Sequence, residues 1–370
     1  MTGENWYAID DIDHLDTPAL VIYPERVRHN ITLAKDMIGN ISRLRPHVKT
    51  HKCKEAATLM LEAGITKFKC ATIAEAEMLG ICTAPDVLLA YQPIGPKLER
   101  FIKLIKTYPD TQYSCLVDNI EAAKHISEEA VKQKLQIKLY IDLNIGQKRT
   151  GIDPEHALNL YWECLSMPGI KLNGLHAYDG HIHDADLDTR IQKCNAAFDR
   201  VMELVNEIRK RGWPEPVIIA GGSPTFPVHA RRENVECSPG TFVYWDRGYS
   251  LMCAEQGFLP AAVVVSRVIS LPDETKVCFD VGHKSVSAEN DISKRIYFMN
   301  APELTMVSQS EEHLVCEAGE GHRYQVGDVL YGMPYHVCPT IALYERAITI
   351  ENNQTTGEWM NVARDRKINI

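Results

Sequence analysis

One lysine near the amino end of the sequence has the position of a residue that could react with a carbonyl group. The pattern predicts a short strand from Leu44 to Lys49, and in a barrel of parallel strands reactive groups gather at the carboxyl ends of the strands. Four polar or cationic neighbours flank the lysine, namely Arg45, His47, His51 and Lys52. Positive neighbours favour the neutral, nucleophilic form of an amine. Lys49 could therefore form a Schiff base, although an isolated strand-end lysine is more often simply solvated.

A second motif, IIAGGSPTF at residues 218–226, could hold an anion. It predicts a strand that runs into Gly221, Gly222 and Ser223 before the next helix. Such a turn presents backbone N–H groups, and a following helix adds its dipole. A plain tight turn uses the same residue types. The combination with Lys49 indicates phosphate binding, because barrels commonly bind phosphate after their late strands.

A third candidate is the H-x-C pair formed by His336 and Cys338. On a strand, residues two apart point to the same face, so an imidazole and a thiolate could reach one metal ion. Structural zinc sites use four protein ligands, so such a pair also arises by coincidence. In a catalytic site, substrate and water complete the coordination. A soft thiolate favours zinc over manganese or magnesium.

The remaining cysteines carry no such signal. The chain has 11 cysteines, and no two of them have the C-x-x-C spacing. This distribution fits neither a disulfide framework nor a zinc finger. We expect the cysteines other than Cys338 to be reduced and mostly buried.

Composition and charge exclude several classes of partner. The 370 residues include 40 Lys and Arg against 49 Asp and Glu, for a formal charge of -9. No overall field therefore attracts nucleic acid or anionic lipid. No apolar stretch reaches the roughly 20 residues of a membrane helix, and the acidic start MTGENWYAIDDIDHLD lacks the regions of a signal peptide. We expect a cytoplasmic protein that binds neither membrane nor nucleic acid.

Residues 17–240 alternate short apolar runs with longer amphipathic stretches, which predicts repeated strand and helix units around a parallel sheet. The predicted strands are Ala19 to Ile22, Leu44 to Lys49, Lys67 to Ala71, Asp86 to Tyr91, Tyr113 to Val117, Ile137 to Leu143, Leu172 to His176 and Val217 to Ala220. The predicted helices include Pro24 to Ile38, Ile120 to Lys132 with Asp118 or Asn119 as its cap, and Asp186 to Arg211. No G-x-G-x-x-G follows the first strand, so a (β/α)8 barrel is favoured over an open doubly wound sheet.

After Gly240 the pattern changes to β segments without long helices. The predicted strands there are Ala261 to Ser270, Lys276 to Val281, Leu304 to Ser308, His313 to Ala318, Val326 to Tyr331 and Glu345 to Glu351. The fold class is therefore α/β, a TIM-type barrel followed by an antiparallel β domain. We place the barrel at residues 15–250 and the β domain at 251–370, with residues 1–14 a candidate addition to the latter.

Five motifs in this order resemble a known family. RPHVKTHK, DLNIGQKRTGI (142–152), GLHAYDGH (174–181), AGGSPT and PYHVCPT (334–340) are similar to those of the D-threonine aldolase and D-serine dehydratase family. Its members are fold-type III pyridoxal phosphate enzymes related to alanine racemase. The resemblance spans nearly the whole chain.

The resemblance implies a role for each matching residue. Lys49 would hold pyridoxal phosphate covalently, and Gly221, Gly222 and Ser223 would bind its phosphate. Arg149 resembles the family arginine beside the cofactor's ring oxygen, and Tyr178 the family tyrosine near the cofactor. From the residues alone, Arg149 could equally form a surface ion pair and Tyr178 could be a half-buried core phenol. His176 and His181 receive no proton-transfer role.

The implied activity uses both the cofactor and a divalent metal, zinc, held by His336 and Cys338. The D-serine dehydratase branch carries this pair, whereas D-threonine aldolases are better known with a carboxylate partner. We therefore expect a lyase on β-hydroxy D-amino acids that converts D-serine to pyruvate and ammonia. The alternative is D-threonine aldolase; an amino-acid racemase or a non-enzymatic pyridoxal phosphate carrier fits less well. The resemblance also implies a homodimer.

Overall fold

The computed structural model describes residues 5–370, which form two compact units. The barrel unit comprises residues 33–49, 57–240 and 365–370, and the mixed-sheet unit comprises residues 5–32, 50–56 and 241–364. Each unit is thus built from several separate segments of the chain. Residues 1–4 of the predicted 1–14 addition lie outside the described residues, and the linear domain ranges remain a prediction.

Sixteen strands make up the two sheets of the described residues. In chain order they are β1 (Ala19–Ile22), β2 (Lys67–Cys70), β3 (Asp86–Leu89), β4 (Gln112–Val117), β5 (Ile137–Asp142), β6 (Ile170–Ala177), β7 (Val217–Ala220), β8 (Val235–Cys237), β9 (Ala262–Ser270), β10 (Lys276–Phe279), β11 (Ile296–Phe298), β12 (Thr305–Gln309), β13 (Leu314–Glu317), β14 (Val329–Pro334), β15 (Arg346–Glu351) and β16 (Gln354–Met360).

Ten α-helices accompany them in the same part of the chain. They are α1 (Pro24–Ile38), α2 (Lys54–Glu62), α3 (Ile73–Ile81), α4 (Pro96–Thr107), α5 (Ile120–Lys132), α6 (Ala157–Ser166), α7 (Leu187–Lys210), α8 (Phe226–Ala230), α9 (Arg247–Met252) and α10 (Val337–Ile341). None of the helices within residues 5–370 combines the length and the apolar composition needed to cross a membrane.

The barrel unit is a ring of parallel strands. Strands β2 to β8 pair in sequence order, each parallel to the next. Residues 44–48 close the ring between its two ends: Leu44 forms a parallel bridge with Cys237 of β8, and His47 with Lys69 of β2. The predicted barrel is therefore confirmed, and residues 44–48 take the position of its eighth strand.

One predicted barrel strand belongs to the other sheet. Ala19–Ile22 pairs antiparallel with β9 and parallel with β15, so its assignment to the barrel was wrong. A buried apolar run predicts a strand but does not name its partner. The missing barrel strand is β8, which has three residues and is too short to show periodicity.

The mixed-sheet unit contains a largely antiparallel sheet. Its strands follow the order β12, β13, β10, β9, β1, β15 and β16, and β14 joins β9 to β11. The predicted antiparallel domain is confirmed, although the β1–β15 pair is parallel. A core cluster in this unit includes Tyr7 and Ile9 packed with Val263 and Tyr331.

A buried ion pair holds the ring of the barrel unit together. Arg45, on the closing segment, is 0% exposed. Its guanidinium lies 2.5 Å from Asp86 at the start of β3 and 2.7 Å from Glu236 of β8. Glu236 also contacts Lys67 at the start of β2. Four neighbouring elements of the ring, namely β8, residues 44–48, β2 and β3, are thus linked by ion pairs.

We predict that Arg45→Ala destabilises the protein strongly, because it leaves Asp86 and Glu236 without their buried partner. Breaking a buried pair on one side costs about 3–5 kcal/mol of unfolding free energy. The matched control is Lys124→Ala, which removes an exposed pair with Glu121 and costs less than about 1 kcal/mol. Urea unfolding followed by circular dichroism measures both; equal losses in the two variants contradict the prediction.

Candidate active site

Lys49 stands at the carboxyl end of the closing segment. Main-chain hydrogen bonds hold that segment from both sides, from His47 N to Pro239 O and from Val48 N to Lys69 O. Beyond it, Lys49 lines a cavity of about 510 Å³ whose wall is formed by the carboxyl ends of the parallel strands. The predicted strand from Leu44 to Lys49 is not formed as a regular strand: the segment makes isolated bridges at Leu44 and His47, and Lys49 lies in the turn that follows. The cavity is large enough for a cofactor-sized ligand.

Tyr178 brings three cations together in this cavity. Its half-buried ring has Arg149 Cζ at 5.4 Å, Lys69 Nζ at 5.5 Å and Lys49 Nζ at 5.8 Å from its centroid. Distances below about 6 Å allow cation–π attraction. Of the residues singled out in the sequence, Lys49, Arg149 and Tyr178 thus lie around one ring, and Lys69 joins them.

Hydrogen bonds at one end and a glycine at the other shape the loop that carries Arg149. Asn144 Oδ1 accepts from the main-chain N–H of Gly146 and of Lys148, at 3.2 and 2.9 Å. At the other end Gly151 has φ +99°, and a Cβ there would lie 2.6 Å from Asn144 N. The Q-K-R-T-G-I motif therefore needs its glycine to close the loop.

A chain of hydrogen bonds links Lys69 to Asp142 and to the loop that carries Arg149. Lys69 Nζ lies 3.4 Å from Nε2 of His176, whose Nδ1 is 2.7 Å from Asp142 Oδ1. The other carboxylate oxygen of Asp142 accepts from the Thr150 hydroxyl at 2.8 Å. These contacts connect β2, β5 and β6 with the Arg149 loop.

Burial governs the charges along this chain. It lowers the pKa of Lys69 to about 7, aided by the nearby charge of Lys49 and opposed by Asp179 and Asp142. Burial also lowers the pKa of His176, and the charge of Lys69 acts in the same direction. For Asp142, burial alone raises the pKa, but the hydrogen bonds from His176 and Thr150 hold it below its usual range. Asp142 is therefore a carboxylate, His176 a neutral imidazole and Lys69 a partly charged amine.

The glycine turn lies directly beside Tyr178. Gly221 has φ +79°, and a Cβ there would meet His229 Cδ2 at 2.7 Å. Gly222 leaves room for the tyrosine, since its Cβ would lie 3.0 Å from Tyr178 Cε2. Ser223 is buried and its hydroxyl accepts from Gly240 N at 3.3 Å. Because α8 after the turn has only five residues, the helix dipole expected from the sequence is short.

Behind the turn, a buried hydrogen-bonded cluster supports it. Asp179 accepts from the Thr225 hydroxyl at 2.8 Å and lies 2.9 Å from His229 Nε2, while Thr225 Oγ1 also accepts from Gly222 N at 3.2 Å. Asp179, Cys194 and His229 are close enough to bind one metal ion. Without a metal ion, burial followed by the charge of Asp179 raises the pKa of Cys194 to about 12, so the free thiol is protonated. The cluster serves as a support for the turn.

His336 and Cys338 lie together in the mixed-sheet unit, but not on a strand. His336 caps α10 and Cys338 lies in its first turn, which corrects the strand expected from the H-x-C pattern. Pro339 follows Cys338, and proline is well tolerated in a first helical turn whereas it breaks a sheet ladder. The side chains still reach each other at the start of a helix.

The surroundings of this pair are polar. Cys338 Sγ lies 3.1 Å from the Thr50 hydroxyl and 3.7 Å from that of Thr241, and His336 Nδ1 contacts Glu289. Burial by itself lowers the pKa of His336, but its hydrogen bond with Cys338 and the charge of that sulfur outweigh burial and raise the pKa to about 9. Together they offer one imidazole and one sulfur to a metal ion.

Several site residues are not evident from sequence reasoning, above all Lys69, Asp142, Asp179 and His229. Lys69 had a signal, because KFKC places Lys67 and Lys69 on the same face of β2, opposite the buried Phe68. Conversely, two residues that the sequence predicted to place positive charge beside Lys49 are either ion-paired or uncharged. Arg45 is ion-paired, and burial lowers the pKa of His51 to about 3.

Comparison with known families agrees with these features. The sequence profile of the alanine racemase N-terminal domain matches residues 22–248, and that of a putative serine dehydratase domain matches residues 261–350. The resemblance inferred from the five motifs is thereby confirmed.

Three curated relatives align along nearly the whole chain. D-threonine aldolase of Arthrobacter sp is 26% identical and covers 96% of this chain and 94% of its own. D-threo-3-hydroxyaspartate dehydratase of Delftia sp. (strain HT23) is 25% identical, covering 95% and 98%. D-serine dehydratase of Dictyostelium discoideum is 22% identical, covering 93% and 95%. All three names describe lyases, as predicted from the sequence.

Solved structures confirm the fold. D-threonine aldolase from Filomicrobium marinum superposes with a TM-score of 0.86 at 25% identity, covering 94% of this chain and 95% of its own. An alanine racemase-like protein from Idiomarina loihiensis has a TM-score of 0.84 at 23% identity, covering 96% and 99%. The metal-free form of a cysteine-to-alanine variant of D-threo-3-hydroxyaspartate dehydratase has 0.83 at 23%, covering 94% and 98%.

Proposed function

Because the chain belongs to the alanine racemase N-terminal domain family, which matches residues 22–248, we propose that it is a pyridoxal phosphate- and metal-dependent lyase of β-hydroxy D-amino acids. The proposed reaction is that of a D-serine dehydratase, from D-serine to pyruvate and ammonia. The observation that carries the proposal is the gathering of Lys49, Arg149 and the glycine turn around Tyr178. The serine dehydratase profile over residues 261–350 supports it.

The residues of the barrel unit fit pyridoxal phosphate. Lys49 offers an amine at the edge of a cavity of about 510 Å³. A Cβ would clash with His229 at Gly221 and would be tight against Tyr178 at Gly222, and glycines are expected where a backbone approaches a phosphate closely. Arg149 would donate to the ring oxygen of the cofactor. When bound, pyridoxal phosphate supplies an electron sink for negative charge at the substrate Cα.

The chain's own groups would then move the protons. Lys49 Nζ would take the proton from the substrate Cα. The guanidinium of Arg149 could donate parallel hydrogen bonds to an oxyanion. The support formed by Asp179, Thr225 and His229 keeps the turn in one conformation while the substrate reacts.

The donor set of the mixed-sheet unit fits zinc. His336 and Cys338 supply one nitrogen and one sulfur, a combination that zinc binds well. A bound zinc ion would supply Lewis acidity for a β-hydroxyl, which is otherwise a poor leaving group. By the family resemblance, the pairing of a histidine with a cysteine favours the dehydratase over the aldolase.

D-threonine aldolase is the alternative function. It is favoured by the 26% identity to the Arthrobacter enzyme over 96% of this chain. In that reaction, the Cα–Cβ bond breaks and yields glycine and an aldehyde.

We further propose a homodimer, as the family resemblance implies. A monomeric mass in sedimentation at full activity contradicts this proposal.

We predict that Lys49→Ala abolishes covalent attachment of pyridoxal phosphate. The purified protein should absorb visible light, and borohydride reduction should fix the cofactor to the peptide that contains Lys49. In the variant, both signals should disappear while the far-ultraviolet circular dichroism stays unchanged. Lys171→Met, an exposed lysine of β6, is the matched control and should keep both. Cofactor fixed to another lysine in Lys49→Ala identifies a different attachment site.

We predict that Cys338→Ala separates cofactor binding from bond cleavage. Cofactor absorbance and exchange of the Cα proton with solvent should persist, because neither needs the metal. Turnover of D-serine should fall by more than roughly a hundredfold, since a Lewis acid contributes several kcal/mol. Pyruvate from D-serine identifies the dehydratase, and glycine from D-threonine identifies the aldolase.

Elimination from β-chloro-D-alanine serves as the control for this variant. Chloride leaves without a Lewis acid, so Cys338→Ala should process this substrate at nearly the unmodified rate. Chelation of the unmodified protein should reproduce the pattern. D-serine turnover that is unaffected by both the substitution and the chelator refutes the metal assignment.

A further inference from the structure

Two buried cations of the barrel unit have very different surroundings. Arg45 is 0% exposed and has carboxylates at 2.5 and 2.7 Å. Lys69 is 2% exposed, and its hydrogen bond is to the imidazole of His176 at 3.4 Å. Within residues 5–370, no carboxylate forms an ion pair with Lys69. The unit thus compensates one buried charge and leaves the other without a counter-ion.

The partner of Lys69 is a neutral acceptor. Asp142 is held as a carboxylate and lies 2.7 Å from Nδ1 of His176, so Nδ1 carries the hydrogen of the neutral ring. Nε2 is then left with a lone pair and accepts from Lys69. The hydrogen bond fixes the direction of the amine without neutralising its charge.

The more distant charges around Lys69 oppose one another. The cations Lys49 and Arg45 lower its pKa, and the carboxylates of Asp179 and Asp142 raise it. Asp142 and Asp179 are already engaged by His176 and His229. An ammonium buried without a counter-ion is costly, and the pKa of about 7 expresses this cost.

Lys69 also lines the cavity that holds Lys49, Arg149 and Tyr178. An anion that enters this cavity would supply the missing counter-charge. An opposite charge within about 4–6 Å stabilises an ammonium and raises its pKa. The amine would then gain a proton in the same step in which the anion binds.

We propose that Lys69 is an oxyanion-binding residue of the cavity and takes up a proton when the oxyanion binds. The oxyanion is either the carboxylate of the D-amino acid or an anionic oxygen of the cofactor. The choice of these two ligands rests on the proposed function. It makes Lys69 a positioning residue for substrate or cofactor, in addition to Lys49 and Arg149.

Isothermal titration calorimetry in buffers of different ionisation enthalpy counts the protons taken up. Near pH 8, about one unit above the pKa of Lys69, uptake should reach up to about 0.9 proton per site. It should decline below pH 7, where the amine is already charged. The titrants are acetate and pyridoxal phosphate with the cofactor-free protein, and D-alanine with the cofactor-loaded protein.

Two substitutions of Lys69 and one control complete the experiment. Lys69→Met should lose this proton and bind the oxyanion more weakly. Lys69→Arg should bind it without proton uptake, because its charge is permanent. Lys171→Met should behave as the unmodified protein. Loss of uptake with pyridoxal phosphate assigns the oxyanion to the cofactor, and loss with D-alanine assigns it to the substrate.

The inference is overturned if both Lys69 variants take up as many protons as the unmodified protein with all three titrants. This outcome differs from failure of the proposed function, in which pyridoxal phosphate does not attach to Lys49. In that case, the acetate titration still tests Lys69 by itself. Circular dichroism confirms that each variant is folded before titration.

Discussion

The hydrogen bonds that hold residues 44–48 between β2 and β8 are the constraint on which the candidate site depends. This segment is too irregular to count as a strand, yet it completes the ring through Leu44 and His47. Arg45 ties it to the carboxylates of Asp86 and Glu236, and the last main-chain hydrogen bond of the segment comes just before Lys49. Lys49 is therefore positioned by a segment that is hydrogen-bonded on both sides and not by a flexible loop.

The ring of Tyr178 connects the parts of the site that lie on different strands. It contacts cations from the closing segment, from β2 and from the Arg149 loop. Gly222 packs against the same ring, which links it to the turn and its support at Asp179. A half-buried aromatic residue can serve several cations at once, because its face attracts each of them without requiring a specific hydrogen-bond geometry.

Local signals in the sequence predict helices well. Asn119 caps α5 by accepting from Ala122 N at 2.9 Å, and Asp186 caps α7 in the same way through Thr189 N. Both interactions involve residues close in sequence. Ala19–Ile22 shows the limit, because its composition predicts a strand, whereas its partners lie in β9 and β15.

The residues of the candidate site likewise divide into those with a local signal in the sequence and those whose role depends on distant partners. Lys49 could be found from the apolar run that precedes it and the glycine turn from its residue types, both of which are local signals. Lys69 was missed because its importance comes from His176 and from burial inside the ring, neither of which is visible in the KFKC segment. The H-x-C spacing suggested a strand, while Pro339 and the preceding cap residue place Cys338 in a helix.

The separation of paired segments along the chain has a consequence for biosynthesis. Arg45 and Glu236 are 191 positions apart, so the ribosome must make most of the barrel unit before this ion pair can form. The pairing of β1 with β15 must form later still, because β15 is completed only at Glu351. Contacts of such high contact order form slowly. Until then, the apolar strand β1 lacks part of its pairing in the nascent chain, and unpaired apolar strands are prone to aggregation.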